Sequence, residues 1–318
     1  MDRPTVCSVQ ILRGNALALA LADESVDLIV TSPPYFGLRS YQDGGEHYAG
    51  QIGSEATPAE FVDALIAATR EMVRVLKPSG SIWVNLGDKY AGSNGQPGGA
   101  GSSTLVGTTS HTRGMTANKA PATGAPTKSL IGVPWRYAIR CIDDVGLILR
   151  AEVIWSKPNG LPESVTDRVR RSHEQWFHFT REPRYFSAVD EIREATNPEN
   201  DAHAARYREA ARTYGRAATD SHPRADGNGN GIFTPNPLGK LPGSVWTVPT
   251  EPLRVPESLG IDHFAAFPTE FPRRIIMGWS PRGICTECGE GRRPVTLTDL
   301  GTKERLSLIH ISEPTRPY

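Results

Sequence analysis

The stretch "VDLIVTSPPYFG", Val26 to Gly37, restricts the fold more than any other part of the chain. Residues 26–31 form a nearly continuous apolar, strand-forming run, the pattern of a central parallel strand covered on both faces. Ser32 and two prolines end it. Each proline fixes its own φ and has no N–H to donate. Each also pushes the preceding residue toward an extended shape. The carbonyls of Ser32 and Pro33 are therefore held in place at a strand end, beside a hydroxyl and the ring of Tyr35. In open α/β sheets, ligands bind beyond the carboxyl ends of the strands. The corner suits a ligand with N–H donors for a hydroxyl and a carbonyl, and a flat face for an aromatic ring. An exocyclic amine on a nucleobase meets both demands. A bare Pro-Pro-Tyr is as often a turn or a proline-rich ligand, but an apolar strand directly upstream argues against both.

The flanking sequence alternates strand and helix signals. "CSVQILR" (7–13) reads as a short strand, Gly14-Asn15 as a turn and "ALALALADES" as a short helix. Thr57, Pro58 and Glu60 form an N-cap, a first-turn proline and a capping box. Phe61, Val62, Leu65, Ile66, Met72, Val73 and Leu76 then share one helical stripe, which Pro78 and Gly80 are expected to stop. "SIWVNLG" (81–87) reads as a second buried strand. A helix ("VPWRYAIRCIDDVG") follows, then strands "LILRAEVIWSK", "HEQWFHFTR" and "SVWTV" and a helix over 268–280. This alternation predicts a doubly wound, mostly parallel α/β sheet. Residues 91–127, rich in Gly, Ser, Thr and Pro, read as a flexible loop, and the polar residues 190–240 as an insertion.

Lys+Arg and Asp+Glu number 35 each in 318 residues. Net charge therefore gives no argument for nucleic acid, and a nucleic-acid binder of this composition must gather its basic residues on one face. No stretch has the apolar length needed to cross a bilayer, and the N-terminus lacks the apolar core of a signal peptide, so a cytoplasmic protein is expected. Of four cysteines, only Cys285 and Cys288 stand close, as C-x-x-C. They read as one knuckle of a zinc site whose second pair is missing.

"SVDLIVTSPPY" closely resembles the catalytic motif of the amino-methylating DNA methyltransferases, which act on cytosine N4 or adenine N6 with S-adenosylmethionine. The resemblance extends over most of residues 7–280 and implies one catalytic domain of the S-adenosylmethionine-dependent methyltransferase type. It implies catalytic roles for Ser32, Pro33, Pro34 and Tyr35. Ser before Pro-Pro is the choice most often seen in cytosine-N4 enzymes, while Asp prevails in adenine-N6 enzymes. Asn15 and Thr31 correspond to positions near the cofactor, as do His263, Phe267 and Pro268 in "HFAAFPTEFPRRII". In the block "WSKPNGLPESVTDRVRRSHEQWFHFTR", Lys157 and Asn159 are candidates for base or phosphate contacts, and Arg168, Arg170 and Arg171 for phosphates of double-stranded DNA. Asp88 is placed at the border of the base pocket. Trp83 and Asn85 are given packing and local hydrogen-bonding roles, and the pair His173-Glu174 the ordering of the strand that follows.

In the family's order with the catalytic motif first, a glycine-rich run of the type Asp-Pro-Phe-x-Gly-x-Gly follows, and this chain has none. The ending "SLIHISEPTRPY" resembles a reading frame that has run into a sequencing-library adapter. These features lead to the expectation of a C-terminally truncated chain, with a partial knuckle at 281–300 and a non-native tail at 301–318. They also imply weakened cofactor binding, and zinc only in the full-length protein. The 190–240 insertion or the 91–127 loop is the candidate target-recognition region, and a cognate restriction enzyme is the implied partner. Adenine-N6 methylation, an inactive DNA-binding fragment and a protein-glutamine methyltransferase remain as other readings.

Overall fold

The computed structural model describes residues 9–12, 14–37, 42–43, 46–47, 50–92, 124–160, 162–196, 238–252, 266–284 and 291. Two compact units divide the chain: Met1–Phe186 with Ser244–Ile275, and Ser187–Gly243 with Ile276–Tyr318.

The first unit contains β1 (Val26–Thr31), a short antiparallel pair of β2 (Gln42–Asp43) and β3 (Glu46–His47), α1 (Pro58–Val75), β4 (Leu76–Leu86), α2 (Val133–Asp143), β5 (Ile148–Ser156), β6 (His173–Thr180) and β7 (Val245–Thr247). Helix α3 (Glu270–Trp279) begins in it. The sheet order is β1-β4-β6-β5-β7. β1 lies parallel to β4 and β5 to β7, whereas β6 runs antiparallel to both neighbours. The expected α/β sheet is present, and it is mixed. β1 is an edge strand among the described residues, and its six residues are only half-buried.

Helix α1 starts as its sequence dictates. Thr57 Oγ1 accepts from Glu60 N at 3.2 Å, and Glu60 Oε2 accepts from Thr57 N at 3.0 Å. It stops at Val75, earlier than Pro78 and Gly80 suggest, because Leu76 already enters β4. Pro78 and Gly80 instead sit where the β1–β4 register slips: Val26 pairs with Leu76, but Leu28 pairs with Ser81. A Cβ on Gly80 would lie 2.9 Å from Asp27 O, so the close approach requires glycine. Lys77 Nζ closes the irregularity on Asp27 at 2.8 Å.

Two expectations fail at the start of the chain. Residues 9–12 are exposed and lie outside any strand, and residues 16–25 form turns in place of a helix. Asn15 Oδ1 accepts from Leu17 N at 2.9 Å, a side-chain turn that competes with helix. Side chains of α1 take further backbone groups: Glu71 accepts from Leu19 N, and Arg74 donates to Leu19 O and Leu21 O. Leu17 and Leu21 stay exposed, so no apolar face rewards a helix there.

Strand pleating sorts the core into two layers. Ile82, Val84, Leu86, Phe177 and Phe179 join Phe61, Val62, Leu65 and Ile66 of α1 and Tyr137, Ala138 and Cys141 of α2. Thr69 Oγ1 and Tyr137 Oη, 2.8 Å apart, bridge the two helices. The alternate residues form an aromatic layer. Trp155, Trp176 and Trp246 lie 5.2, 5.1 and 5.7 Å from Phe271 of α3, ring centre to ring centre. In the second unit, a 3-10 turn (Val189–Ile192) is held by Arg282 on Glu191, and Glu194 bridges Lys240.

His178 lies buried in the aromatic layer, stacked on Trp83 at 4.5 Å with Nε2 3.0 Å from Ser81 Oγ. Burial, reinforced by the charge of Arg150, lowers its pKa from 6.5 to about 3. Between those values the unfolded chain binds more protons, so this contribution to stability is complete above 6.5 and is lost as pH falls toward 3. From pH 7 to pH 5, the protein is expected to lose roughly 2 kcal/mol relative to its His178→Phe variant, measured by urea unfolding at each pH. Parallel pH profiles for the two proteins would contradict the assignment.

Candidate functional site

The strand register gathers distant segments at one edge of the sheet. Thr31 pairs with Val84, Leu86 with Gln175, and Ser156 with both His173 and Thr247. The carboxyl ends of β1, β4, β5 and β7 and the amino end of β6 therefore lie side by side. Ser32, Pro33, Pro34 and Tyr35 leave β1 there, all half-buried. Phe36 anchors the chain just beyond them, buried 5.5 Å from Phe61, and Gly37 N donates to Gly53 O at 2.7 Å.

The Tyr35 ring lies against the backbone of Gly87, where a Cβ would stand 2.6 Å from Tyr35 Cε2. Its hydroxyl lies 2.7 Å from Glu174 Oε2 and 3.0 Å from Asn85 Oδ1. Ser32 Oγ donates to the same Asn85 oxygen at 3.4 Å. Asn85 Nδ2 donates to Gln175 O at 3.1 Å, which fixes the orientation of the amide and aims Oδ1 at the two hydroxyls. The Tyr35 phenol is held well above its ordinary pKa, first by burial and then by the Glu174 charge, so it remains a protonated donor. Among the described residues, no donor meets the Pro33 carbonyl.

A second layer holds these groups. Lys157 Nζ pairs with Glu174 Oε1 at 2.5 Å and lies 4.1 Å from the Trp155 ring centre. Arg171 turns inward, with Nη2 3.3 Å from Gln175 Oε1 and Nη1 3.7 Å from Asp88. Asp88, expected at the border of the base pocket, accepts from Gly132 N and Val133 N and so caps α2 in place of the side-chain cap that Gly132 lacks.

The other candidate DNA contacts also have partners within the chain. Arg168 pairs with Glu163 at 2.7 Å and covers the Tyr90 ring at 3.8 Å. The exposed Arg170 donates to Gly160 O at 2.9 Å. Asn159 Oδ1 accepts from Thr250 N at 2.8 Å, tying the turn after β5 to the segment after β7. Among the candidate cofactor residues, Thr31 ends β1, and Asn15 is exposed with its side-chain carbonyl engaged by Leu17 N. Phe267 meets Trp176 edge-on at 5.1 Å. Pro268 lines a cavity of about 340 Å³ with residues 247–252, Glu270 and Arg274. His263, Cys285 and Cys288 lie outside the described residues. Among the described residues, no group of His, Cys, Asp and Glu is arranged to hold a metal. Cys141 is buried, and burial pushes its thiol up to about 12, which leaves it inert as a nucleophile.

The sequence alone points Asn85 to packing and local hydrogen bonding and Glu174 to ordering its strand, yet these two residues join the catalytic-motif candidates Ser32 and Tyr35. The available signal is polarity out of place: one amide in "SIWVNLG" and one carboxylate at the start of "HEQWFHFT".

The family model for the N6/N4 DNA methylases matches residues 26–285. The Type II methyltransferase M.XycI of Xanthomonas campestris pv. cyanopsidis is 40% identical over 179 residues, 55% of this chain and 55% of its own length. M.SmaI of Serratia marcescens is 38% identical over 199 residues, 61% of this chain and 63% of its own. M.Cfr9I of Citrobacter freundii is 33% identical over 276 residues, 86% of this chain and 73% of its own. The chain thus spans 55% to 63% of the length of the first two of these relatives. It belongs to the N6/N4 DNA methylase family.

The contact between Gly87 and Tyr35 carries a direct expectation. Gly87→Ala places a methyl group 2.6 Å from Cε2 and should cost about 1–3 kcal/mol. In a Tyr35→Ala background the cost should largely vanish, as read by thermal unfolding. An equal cost in both backgrounds would show that the ring is not packed there.

Proposed function

We propose that this DNA methylase moves a methyl group from S-adenosylmethionine to the exocyclic amine of a flipped cytosine in double-stranded DNA, forming N4-methylcytosine. The observation that carries the reading is the fixed Asn85 amide. Because Nδ2 is held by Gln175 O, Oδ1 faces Ser32 and takes its proton in a hydrogen bond. The Ser32 lone pairs are thereby left as acceptors, next to the Pro33 carbonyl, which no donor among the described residues meets.

An amine offering two N–H groups finds two acceptors on a backbone stiffened by Pro33 and Pro34. With both hydrogens engaged, its lone pair is oriented away from the ring system and toward an incoming electrophile. Catalysis here is chiefly positioning. The base must first leave the duplex, and Tyr35 offers it an aromatic face worth roughly 1–3 kcal/mol. Gly87 permits that ring to lie close to the strand end. No covalent bond between protein and base is required.

S-adenosylmethionine supplies an electrophilic methyl group on a sulfonium. The residues at the β7 end fit part of such a molecule. Pro249, Pro252, Pro268 and Val248 give the cavity apolar walls, and Glu251, which accepts from Thr269, and the ion pair of Glu270 with Arg274 give it polar groups. Phe267 and Pro268 enter α3 beside it.

The choice of cytosine rests on Ser32, the residue that cytosine-N4 enzymes of the resembled family most often carry. Nucleoside mass spectrometry of DNA treated with the protein and labelled cofactor is expected to show N4-methylcytosine, with Ser32→Ala lowering the yield by about 10²-fold. N6-methyladenine in its place would move the reading to the other base, and neither product would overturn it.

A further inference from the structure

We infer that Glu174 is a positioning residue that acts on Ser32 through the Tyr35 hydroxyl, by keeping the phenol proton away from Asn85. The inference rests on the reading of Ser32 as the amine acceptor.

The inference comes from the sharing of protons at the site. Two hydroxyls, Ser32 and Tyr35, carry one proton each. Two acceptors face them, Asn85 Oδ1 and Glu174 Oε2, and the phenol oxygen can itself accept from Ser32. The Tyr35 hydroxyl reaches both acceptors, at 2.7 Å to Glu174 and 3.0 Å to Asn85. Of the two, the Ser32 hydroxyl reaches only Asn85, at 3.4 Å. A phenol donates more strongly to a carboxylate than to a neutral amide oxygen. With Glu174 present, its proton goes there, and Asn85 Oδ1 is left for Ser32. Without Glu174, the phenol turns to Asn85 at a distance far better than that of Ser32. The two hydroxyls then share the Asn85 oxygen, the longer Ser32 bond weakens, and the Ser32 proton is freer to turn toward the amine, the wrong polarity for holding a donor.

Lys157 completes the device. Its ammonium, over the Trp155 ring, lies 2.5 Å from the second oxygen of Glu174 and is only 19% exposed, so it holds the carboxylate in place. A lysine that the sequence alone offers to DNA is thus engaged in the site's own frame.

The test is a set of variants read in two ways. Methyl transfer is measured at saturating DNA for wild type, Glu174→Ala, Glu174→Gln, Tyr35→Phe and the Glu174→Ala/Tyr35→Phe double variant. Glu174→Ala should lower kcat by about tenfold or more with little change in KM for DNA. Glu174→Gln keeps an acceptor oxygen and should recover most of that loss. Tyr35→Phe keeps the ring and removes the competing proton, so the double variant should be faster than Glu174→Ala alone. A double variant as slow as Glu174→Ala, or slower, overturns the inference. The second readout needs no turnover: ultraviolet titration of the Tyr35 phenol, identified by its loss in Tyr35→Phe. Removing the Glu174 charge should lower the phenol pKa, and an unmoved titration overturns the inference even for a protein that fails to fold its DNA site productively. A wild-type protein with no transferase activity, but with the expected phenol shift, would count against the proposed function and leave the proton assignment standing.

Discussion

The whole site depends on one point of contact, where the Tyr35 hydroxyl meets Asn85 of β4 and Glu174 of β6. Three segments separated by 50 and 139 residues in the chain converge on a single oxygen. The convergence is a matter of register. Because Leu86 stands opposite Gln175, the last residues of β4 and the first of β6 share one sheet edge. A one-residue slip would turn Asn85 and Glu174 to the opposite face of the sheet. The two packed layers, helices α1 and α2 on one side and the aromatic cluster on the other, make such a slip expensive.

Burial and hydrogen bonding divide the work at this edge. The prolines fix backbone shape without donating, the buried Phe36 ring anchors the chain next to them, and the polar network sets which atoms donate and which accept. Charges near the site are mostly paired within the protein: Lys157 with Glu174, Arg168 with Glu163, and Arg171 near Asp88. Such pairing is consistent with a balanced composition of 35 basic and 35 acidic residues. A DNA strand approaching this edge would compete with internal carboxylates for the arginines, so phosphate binding would rearrange side chains already in use. Affinity carried this way should weaken with salt.

Much of this is legible in the sequence where local chemistry decides structure. The Thr57 capping box, the α1 stripe as far as Val73, the apolar strands of the sheet and the Ser-Pro-Pro-Tyr corner are all short-range signals, and each stands where it is expected. The failures share a cause. The segment over 16–25 has helix-forming composition, but its backbone groups are taken by Asn15, Glu71 and Arg74, and the last two lie far along the chain. Pro78 and Gly80 read as a helix stop and serve instead as a strand irregularity, because β1 must pass close to Gly80. Asn85 and Glu174 escape notice because their partners are set by strand pairing, which no local pattern reveals. Asp88 reads as a ligand contact, whereas its strongest obligation is to the N-terminus of α2.

In the proposed reaction an extruded nucleobase rests on the Tyr35 ring while its amine is held by Ser32 and Pro33. Photocrosslinking tests this most directly: a duplex carrying 5-iodocytosine at the methylated position is irradiated with the protein, and the attached peptide is sequenced by mass spectrometry. Attachment at Tyr35, abolished in Tyr35→Ala, is the result this account predicts. Attachment at a residue remote from the β1 end, with Tyr35 unmodified, would contradict it.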